Sequence, residues 1–277
     1  MALVLFNRFA NVIFLRYIEI KENVESDRFP FNLPCFTDLN RLEFKAPVTF
    51  LVGENGSGKS TLLEALAAGL GATAVGSNQI EHDETLAETR NFAKSLKFAS
   101  NRKPSFSLFF RAEDIFGFTN RVVAMSRDLL EIEEIFEKEI SGYGKQLAMG
   151  SVRGQRNELI KDYGENPHAK SHGESFLHIL DRRIQRNSLC LLDEPESPLS
   201  PLRQLSLIAL IEKYSRLSCQ FIVATHSPIL MAIPGADILY FSENRIEQID
   251  YNEVEHVTLT RSFLNNPARY LRLLNED

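Results

Sequence analysis

The sequence predicts an α/β fold built on a mainly parallel core sheet. Three observations carry that expectation. Residues 48–52 (Val-Thr-Phe-Leu-Val), 188–192 (Ser-Leu-Cys-Leu-Leu) and 220–224 (Gln-Phe-Ile-Val-Ala) are apolar nearly throughout, and a strand covered on both faces reads as a continuous apolar run where a half-exposed one alternates. Helix-patterned segments at 61–68 and 201–216 follow the first two strands, the alternation expected of parallel pairing. A glycine-rich loop, residues 53–61, joins the first of these strands directly to its helix.

Taken in order, residues 12–20 (Val-Ile-Phe-Leu-Arg-Tyr-Ile-Glu-Ile) read as a strand, the start of an N-terminal antiparallel β portion. Residues 21–45 hold Pro30 and Pro34 among polar residues and read as loop-rich. Residues 72–104 are polar, with breakers at 76–78 and 102–104, and are expected to be irregular; 105–110 then form a strand. Apolar side chains at Val122, Met125, Leu129, Ile132, Phe136 and Ile140 recur at helical spacing, which predicts a helix packed in a lobe. A coiled-coil arm would need the repeat to persist, and it stops at 141–144 (Ser-Gly-Tyr-Gly). Residues 141–170 are glycine-rich and polar and are expected to be mobile, so that about 115–170 form a helical insert. Residues 236–250 suggest a closing hairpin and about 267–274 a last helix. The whole chain, 1–277, is expected to be one domain.

Hydrophobic and charged contents of 44% and 25% are those of a globular chain with a sizeable core. A net charge of −6 gives no global attraction to nucleic acid or to anionic membranes, although it leaves room for a local basic patch. No apolar run approaches the roughly 18 residues of a membrane span, so no direct membrane insertion is expected. The apolar N-terminus lacks a basic region and makes a poor signal peptide. Cys35, Cys190 and Cys219 are widely spaced and read as reduced thiols, which points to a cytoplasmic protein.

The loop Gly53, Glu54, Asn55, Gly56, Ser57, Gly58, Lys59, Ser60, Thr61 fits the Walker A pattern. Its glycines permit a tight turn and close approach to a polyphosphate. The loop amides and the N-terminus of the following helix form an anion cradle. Lys59 can reach the β- and γ-phosphates, and Ser60 can offer its hydroxyl to Mg²⁺. The sequence therefore predicts a P-loop NTPase, with ATP and Mg²⁺ as its cofactors.

Asp193 and Glu194 end the apolar run 188–192, and the carboxyl tips of such strands face the crevice where α/β sheets bind ligands. Asp193 is expected to hold Mg²⁺ and Glu194 to orient or deprotonate the attacking water. His226 ends the next strand, within reach of a γ-phosphate, as a donor that senses nucleotide state. Ser171, His172, Gly173, Glu174 and Ser175 precede an apolar-patterned helix and lie 22 residues ahead of Asp193 (193 − 171).

With these elements in order, the chain resembles the ATP-binding-cassette ATPases over residues 48 to about 230. It is more similar to stand-alone ATPases related to chromosome-maintenance and recombination-repair heads than to transporter subunits. Glu174 stands where transporter subunits usually carry Gln, and the acid pair continues as Pro195-Glu196-Ser197-Pro198-Leu199-Ser200-Pro201. The resemblance implies an ATP-dependent head-to-tail homodimer. Lys59, Ser60, Asp193, Glu194 and His226 of one protomer would bind MgATP. Ser171 and Gly173 of the other would close over the γ-phosphate, and the segment from Ser197 to Ser200 would line the seam. Two positions depart from the pattern: His172 replaces the first glycine of the signature, and the segment after the acid pair lacks its usual aspartate. No clear Q-loop glutamine follows residue 110; Glu113 either fills that position as a metal ligand or is a solvated acid at a helix start. Arg182, Arg183 and Arg186 read as a solvated helix face or as contacts to DNA phosphates. Phe31 and Phe36 read as core residues. A hydrolytic ATPase, a nucleotide-gated interaction module for an unidentified protein partner, and the ATP-binding subunit of a membrane transporter are the three functions compatible with these motifs.

Overall fold

The computed structural model describes residues 12–21, 28–37, 39–75, 87–163 and 172–273. In chain order the elements are β1 (Leu15–Ile20), α1 (Pro34–Thr37), β2 (Arg41–Glu43), β3 (Val48–Gly53), α2 (Lys59–Gly69), β4 (Thr73–Val75), α3 (Ala87–Ser95), β5 (Leu96–Ser100), β6 (Phe106–Arg111), α4 (Asp114–Glu139), α5 (Tyr143–Tyr163), α6 (His172–Arg183), β7 (Ser188–Asp193), α7 (Pro201–Arg216), β8 (Gln220–Ala224), β9 (Asp237–Phe241), β10 (Ile246–Gln248), α8 (Glu255–Asn265) and α9 (Pro267–Leu273).

Every residue of β3, β7 and β8 is buried, as their continuous apolar sequence predicts. They lie within a seven-stranded sheet of order β10-β9-β3-β8-β7-β6-β4, parallel except for the edge strand β10. Because side chains alternate along a strand, this sheet feeds two cores. Cys190, Leu192, Phe221, Val223, Phe50 and Phe110 face one, with Phe176 and Leu180 of α6 and Leu207 and Ile211 of α7. Leu189, Leu191, Ile222, Leu51 and Phe109 face the other, with Leu62, Leu63 and Leu66 of α2.

The expected antiparallel portion is a separate three-stranded sheet, β2-β1-β5, whose Leu15, Ile18 and Leu42 join the α2 side of the core. It approaches α2 closely, since a Cβ on Gly69 would fall 2.2 Å from the Phe98 ring of β5. Gln220 ties the two sheets together. It is fully buried; its Oε1 accepts from Phe14 N at 2.8 Å and Leu15 N at 2.9 Å, and its Nε2 donates to Leu15 O at 2.9 Å. The polar residue in an otherwise apolar strand is thus the bond between two layers.

Residues 72–104 are not irregular throughout, as their polarity suggests; they include β4, α3 and β5. These elements are short, and α3 buries only Thr89, Phe92 and Ala93, too few apolar positions to register as a period. The breaker at 76–78 lies outside the described residues. Residues 143–163, within the stretch expected to be mobile, form the helix α5; 164–170 lie outside the described residues. A connection at 140–142 folds α5 back on α4, and Phe118 at the start of α4 meets Tyr163 at the end of α5 at 5.4 Å. Packing between the two helices supplies what the glycine-rich sequence of α5 lacks in propensity. The insert is therefore a two-helix hairpin, footed on α6 where Arg183 donates to the Tyr163 hydroxyl at 2.6 Å. Arg182, Arg183 and Arg186 are all exposed, and Arg183 alone of the three is tied to Tyr163 by this bond. Phe36 is buried, and Phe31 and Phe36 both pack on Phe92, at 5.1 and 5.0 Å, as core residues should. The closing hairpin is β9–β10 and the last helix α9; α8, between them, is an addition to the sequence reading. Among the described residues no helix is long and apolar enough to cross a membrane.

Replacing Gln220 with Leu should leave the Phe14 and Leu15 amides and the Leu15 carbonyl unpaired in the core and cost about 2–4 kcal/mol. Urea unfolding of the variant against the parent measures the loss.

Candidate functional site

The parallel register brings the carboxyl tips of the central strands to one edge. Asp193 stands opposite Ala224 on one side and Arg111 on the other, and β3 ends there at Gly53. Strand parity then decides which helix each side chain meets. Asp193 and Arg111 share the face of Leu191 and Phe109, the α2 face, and both find partners on α2. Ser60 Oγ donates to Asp193 Oδ1 at 3.0 Å, and one turn later Glu64 pairs with Arg111. Thr89 Oγ1 donates to the second Glu64 oxygen at 3.0 Å.

The loop between β3 and α2 wraps as its sequence predicts. Gly58, the residue before the helix, has φ 97°, and a Cβ there would press on Cys35 Sγ at 3.1 Å and Phe36 at 3.2 Å. A Cβ on Gly53 would lie 2.5 Å from the Phe241 carbonyl oxygen. At Gly56 a Cβ would meet nothing within 4 Å, so the loop is supported from behind and open in front. The support comes from α1, where Cys35 Sγ donates to Ser57 O at 3.0 Å. Burial pushes the Cys35 thiol up to about 11, which keeps it a neutral donor.

Lys59 is buried and donates to Gly53 O at 2.8 Å and Glu54 O at 2.7 Å, inside its own loop. Burial holds its pKa below the usual lysine range, while Glu194, Asp193, Glu54 and Glu196 oppose that shift. Asp193 is raised to about 6, chiefly by burial, with the Ser60 hydrogen bond and Arg111 working against the rise. Glu64 is raised by burial as well. A cavity of about 450 Å³ lies in front of these groups, bordered by Ser60, Arg111, Glu113, Asp193, Glu194 and Ser197.

Glu194 adopts φ 45°, rare for a residue with a Cβ, with its amide donating to Ala224 O at 2.9 Å. Its half-exposed side chain accepts from Ser197 Oγ at 3.4 Å and lies 3.9 Å from His226 Nε2. Glu196 clamps the next strand's loop, its Oε1 accepting from His226 N at 2.6 Å, and burial raises its pKa. His226 Nδ1 meets His256 Nε2 at 3.3 Å.

The residues expected at one site are thus assembled: the loop from Gly53 to Thr61 with Asp193, Glu194 and His226. Glu113 borders the same cavity, with its side chain mostly exposed and 3.7 Å from Arg111. Ser171 lies outside the described residues. Gly173 packs on the segment after the acid pair, a Cβ there falling 2.8 Å from Pro198 O, and Glu174 pairs with Arg203 of α7. Sequence reasoning assigned no role to Cys35, Glu64, Arg111, Glu196 or His256. Arg111 carried the same signal as Asp193, a charge at the end of an apolar strand; the other four act through contacts that no local pattern announces.

The donor set fits a magnesium-bound polyphosphate. Ser60 and Asp193 offer hard oxygens, as Mg²⁺ prefers. Ser57 Oγ in the loop and His226 Nε2 beside it are buried polar atoms without a hydrogen-bond partner.

A family profile described as an AAA domain matches residues 31–215. A Methanosarcina acetivorans protein carrying an ABC transporter ATP-binding name is 29% identical over 182 residues, 64% of this chain and 62% of that protein. Human structural maintenance of chromosomes protein 6 is 48% identical over 48 residues, 17% of this chain and 4% of that one. This chain therefore aligns with less than two thirds of the length of either relative. Among solved structures, cbiO1 of Clostridium perfringens, part of the ABC transporter complex cbiONQ, is 17% identical, covering 94% of this chain and 99% of that one with a TM-score of 0.46.

An aspartate raised from 3.8 to about 6 favours the folded state below its unfolded pKa and loses that contribution as pH rises through about 6. In chelator, without nucleotide, Asp193→Asn should be more stable than the parent at pH 7 to 8, by about 3 kcal/mol at most, and the difference should vanish below about pH 4. Thermal melts followed by circular dichroism across that range check both the sign and the window.

Proposed function

We propose that this chain, which belongs to the AAA domain family, binds and hydrolyses MgATP and closes as a head-to-tail homodimer around the nucleotide. The observation that carries the reading is the 3.0 Å bond from Ser60 to Asp193. It joins the hydroxyl of a phosphate loop to a carboxylate 133 residues away, the two groups that such sites use to hold Mg²⁺. Glu113, on the border of the same cavity, is the candidate third ligand. When bound, Mg²⁺ supplies charge neutralisation to the phosphates.

The chain's own groups do the rest. Lys59 exchanges the Gly53 and Glu54 carbonyls for phosphate oxygens and stays charged because a polyphosphate replaces neutral acceptors. The amides of Glu54, Asn55, Gly56, Ser57, Gly58, Ser60 and Thr61 line the cradle with that of Lys59. Glu194 takes the proton of the water whose oxygen bonds to the γ-phosphorus, as the bond to the β-phosphate bridging oxygen breaks and ADP leaves. His226 donates from Nε2 to the terminal phosphate. Ser171, Gly173 and Glu174 of a second copy complete the pocket. Gly173 is already seated on Pro198 and Leu199, the same segment that would form the seam. The three cysteines, buried and free of disulfides, accord with a cytoplasmic setting.

A nucleotide-gated interaction module is the second reading, favoured by the exposed Met125, Ile135 and Leu147 on the α4–α5 hairpin, which offer a face to a protein partner.

Glu194→Gln should bind ATP, lose turnover by about 10² or more, and accumulate as a dimer with ATP in size-exclusion chromatography. Turnover at the parental rate would remove Glu194 from its role. Lys59→Ala should weaken ATP binding by about tenfold or more, since hydrogen bonds to charged groups contribute about 1.5–3 kcal/mol. Calorimetric titration with MgATP reads the change, and unchanged affinity would overturn the cradle.

A further inference from the structure

His226 and His256 form a T-shaped pair with ring centroids 5.1 Å apart and planes at 68°. They meet through His226 Nδ1 and His256 Nε2, at 3.3 Å. His226 follows β8 at the phosphate end of the sheet; His256 is carried by the first turn of α8. Two carboxylates fix the surroundings. Glu194 Oε1 lies 3.9 Å from His226 Nε2, and Glu54 Oε1, in the phosphate loop, lies 4.0 Å from His256 Nε2. His226 Nε2 and His256 Nδ1 are buried without a hydrogen-bond partner.

Two proton arrangements satisfy the contact between the rings. If His226 donates from Nδ1, the one lone pair of His256 Nε2 is taken by that bond, and the lone pair of His226 Nε2 is left beside Glu194 Oε1, a repulsive encounter. If His256 donates from Nε2, His226 Nδ1 accepts and His226 carries its own proton on Nε2, beside Glu194 Oε1, an attractive encounter. The second arrangement is therefore the favoured one, and the bond made by one ring nitrogen decides which form the other takes. Burial first, then Lys59 and His256, lower the His226 pKa from its ordinary value against Glu194 and Glu54, which favours the neutral ring, and between neutral rings the choice is one of tautomer.

We propose that His256 is a positioning residue for His226: by donating from Nε2 to His226 Nδ1 it fixes the Nε2–H tautomer and keeps His226 a neutral donor for the terminal phosphate of a nucleoside triphosphate. The ligand rests on the MgATP reading above; the tautomer does not. The pair makes His226 a discriminator of triphosphate from diphosphate, because only the triphosphate offers the buried Nε2–H an acceptor. It also hangs that discrimination on α8, an element outside the strands that build the site.

The test is the imidazole ¹⁵N spectrum of His226 in the full chain without nucleotide, for the parent, His256→Phe and His256→Gln. Phe keeps an aromatic ring and removes both nitrogens; the Gln amide can donate in place of Nε2–H. The parent should show His226 protonated on Nε2, Phe should let the Nδ1–H form appear, and Gln should restore the parental spectrum. In parallel, the ratio of ATP to ADP affinity should fall about tenfold in the Phe variant, the scale of one hydrogen bond to a charged group, and recover with Gln. His226 protonated on Nδ1 in the parent would overturn the proposal without any variant being needed. So would a tautomer that is the same in all three proteins, or a Gln variant no better than Phe. A parent with the Nε2–H tautomer but no ATP binding would sink the MgATP reading and leave the positioning role standing.

Discussion

The register of the parallel sheet is the constraint on which the site depends. Asp193 meets Ser60 because β7 is paired with β8 and β6 so that odd-numbered positions from 189 to 193 face α2. A slip of one residue would exchange the two faces of the strand, sending Asp193 towards α6 and α7 and Leu192 towards the phosphate loop. Both cores would lose their complement at the same moment. The strand therefore cannot pack correctly and present the carboxylate wrongly, and the positioning of Asp193 is inherited from the burial of Cys190, Leu191 and Leu192.

The chemistry is assembled from groups that burial opposes. Lys59 is held below its usual pKa and Asp193 and Glu196 above theirs, each by desolvation first. Carboxylates crowd a single lysine, and the Ser60 hydroxyl and Arg111 only partly offset the burden on Asp193. Such a site favours a ligand that brings both signs of charge, as the proposed metal-bound polyphosphate would: the cation would answer Asp193 and the phosphates Lys59. Glu64 and Arg111 pair with each other, which keeps two further charges balanced beside Asp193.

Much of this was legible in the sequence, for identifiable reasons. Strands buried on both faces announce themselves as apolar runs, so β3, β7 and β8 were expected within a residue or two, and a loop whose residue types are imposed by phosphate geometry could be read outright. Asp193, Glu194 and His226 followed from their places at strand tips. What escaped was whatever is decided by neighbours distant in sequence. The short α3 and β5 owe their form to packing on α2 and β1, and α5 owes its helicity to α4. His256 and Cys35 look like isolated residues until the chain brings them beside His226 and Ser57. Gln220, which reads as an imperfection in an apolar strand, is what joins the sheets.

The hairpin follows directly from the site in the chain. Glu113 borders the cavity in front of Asp193 and α4 starts at the next residue, running 26 residues to Glu139. At 1.5 Å per residue that is a rod of about 39 Å, and a tilt of about 5° at its foot carries the far end through roughly 3 Å. The geometry is that of a pointer on a dial: an adjustment too small to disturb the pivot is legible at the tip.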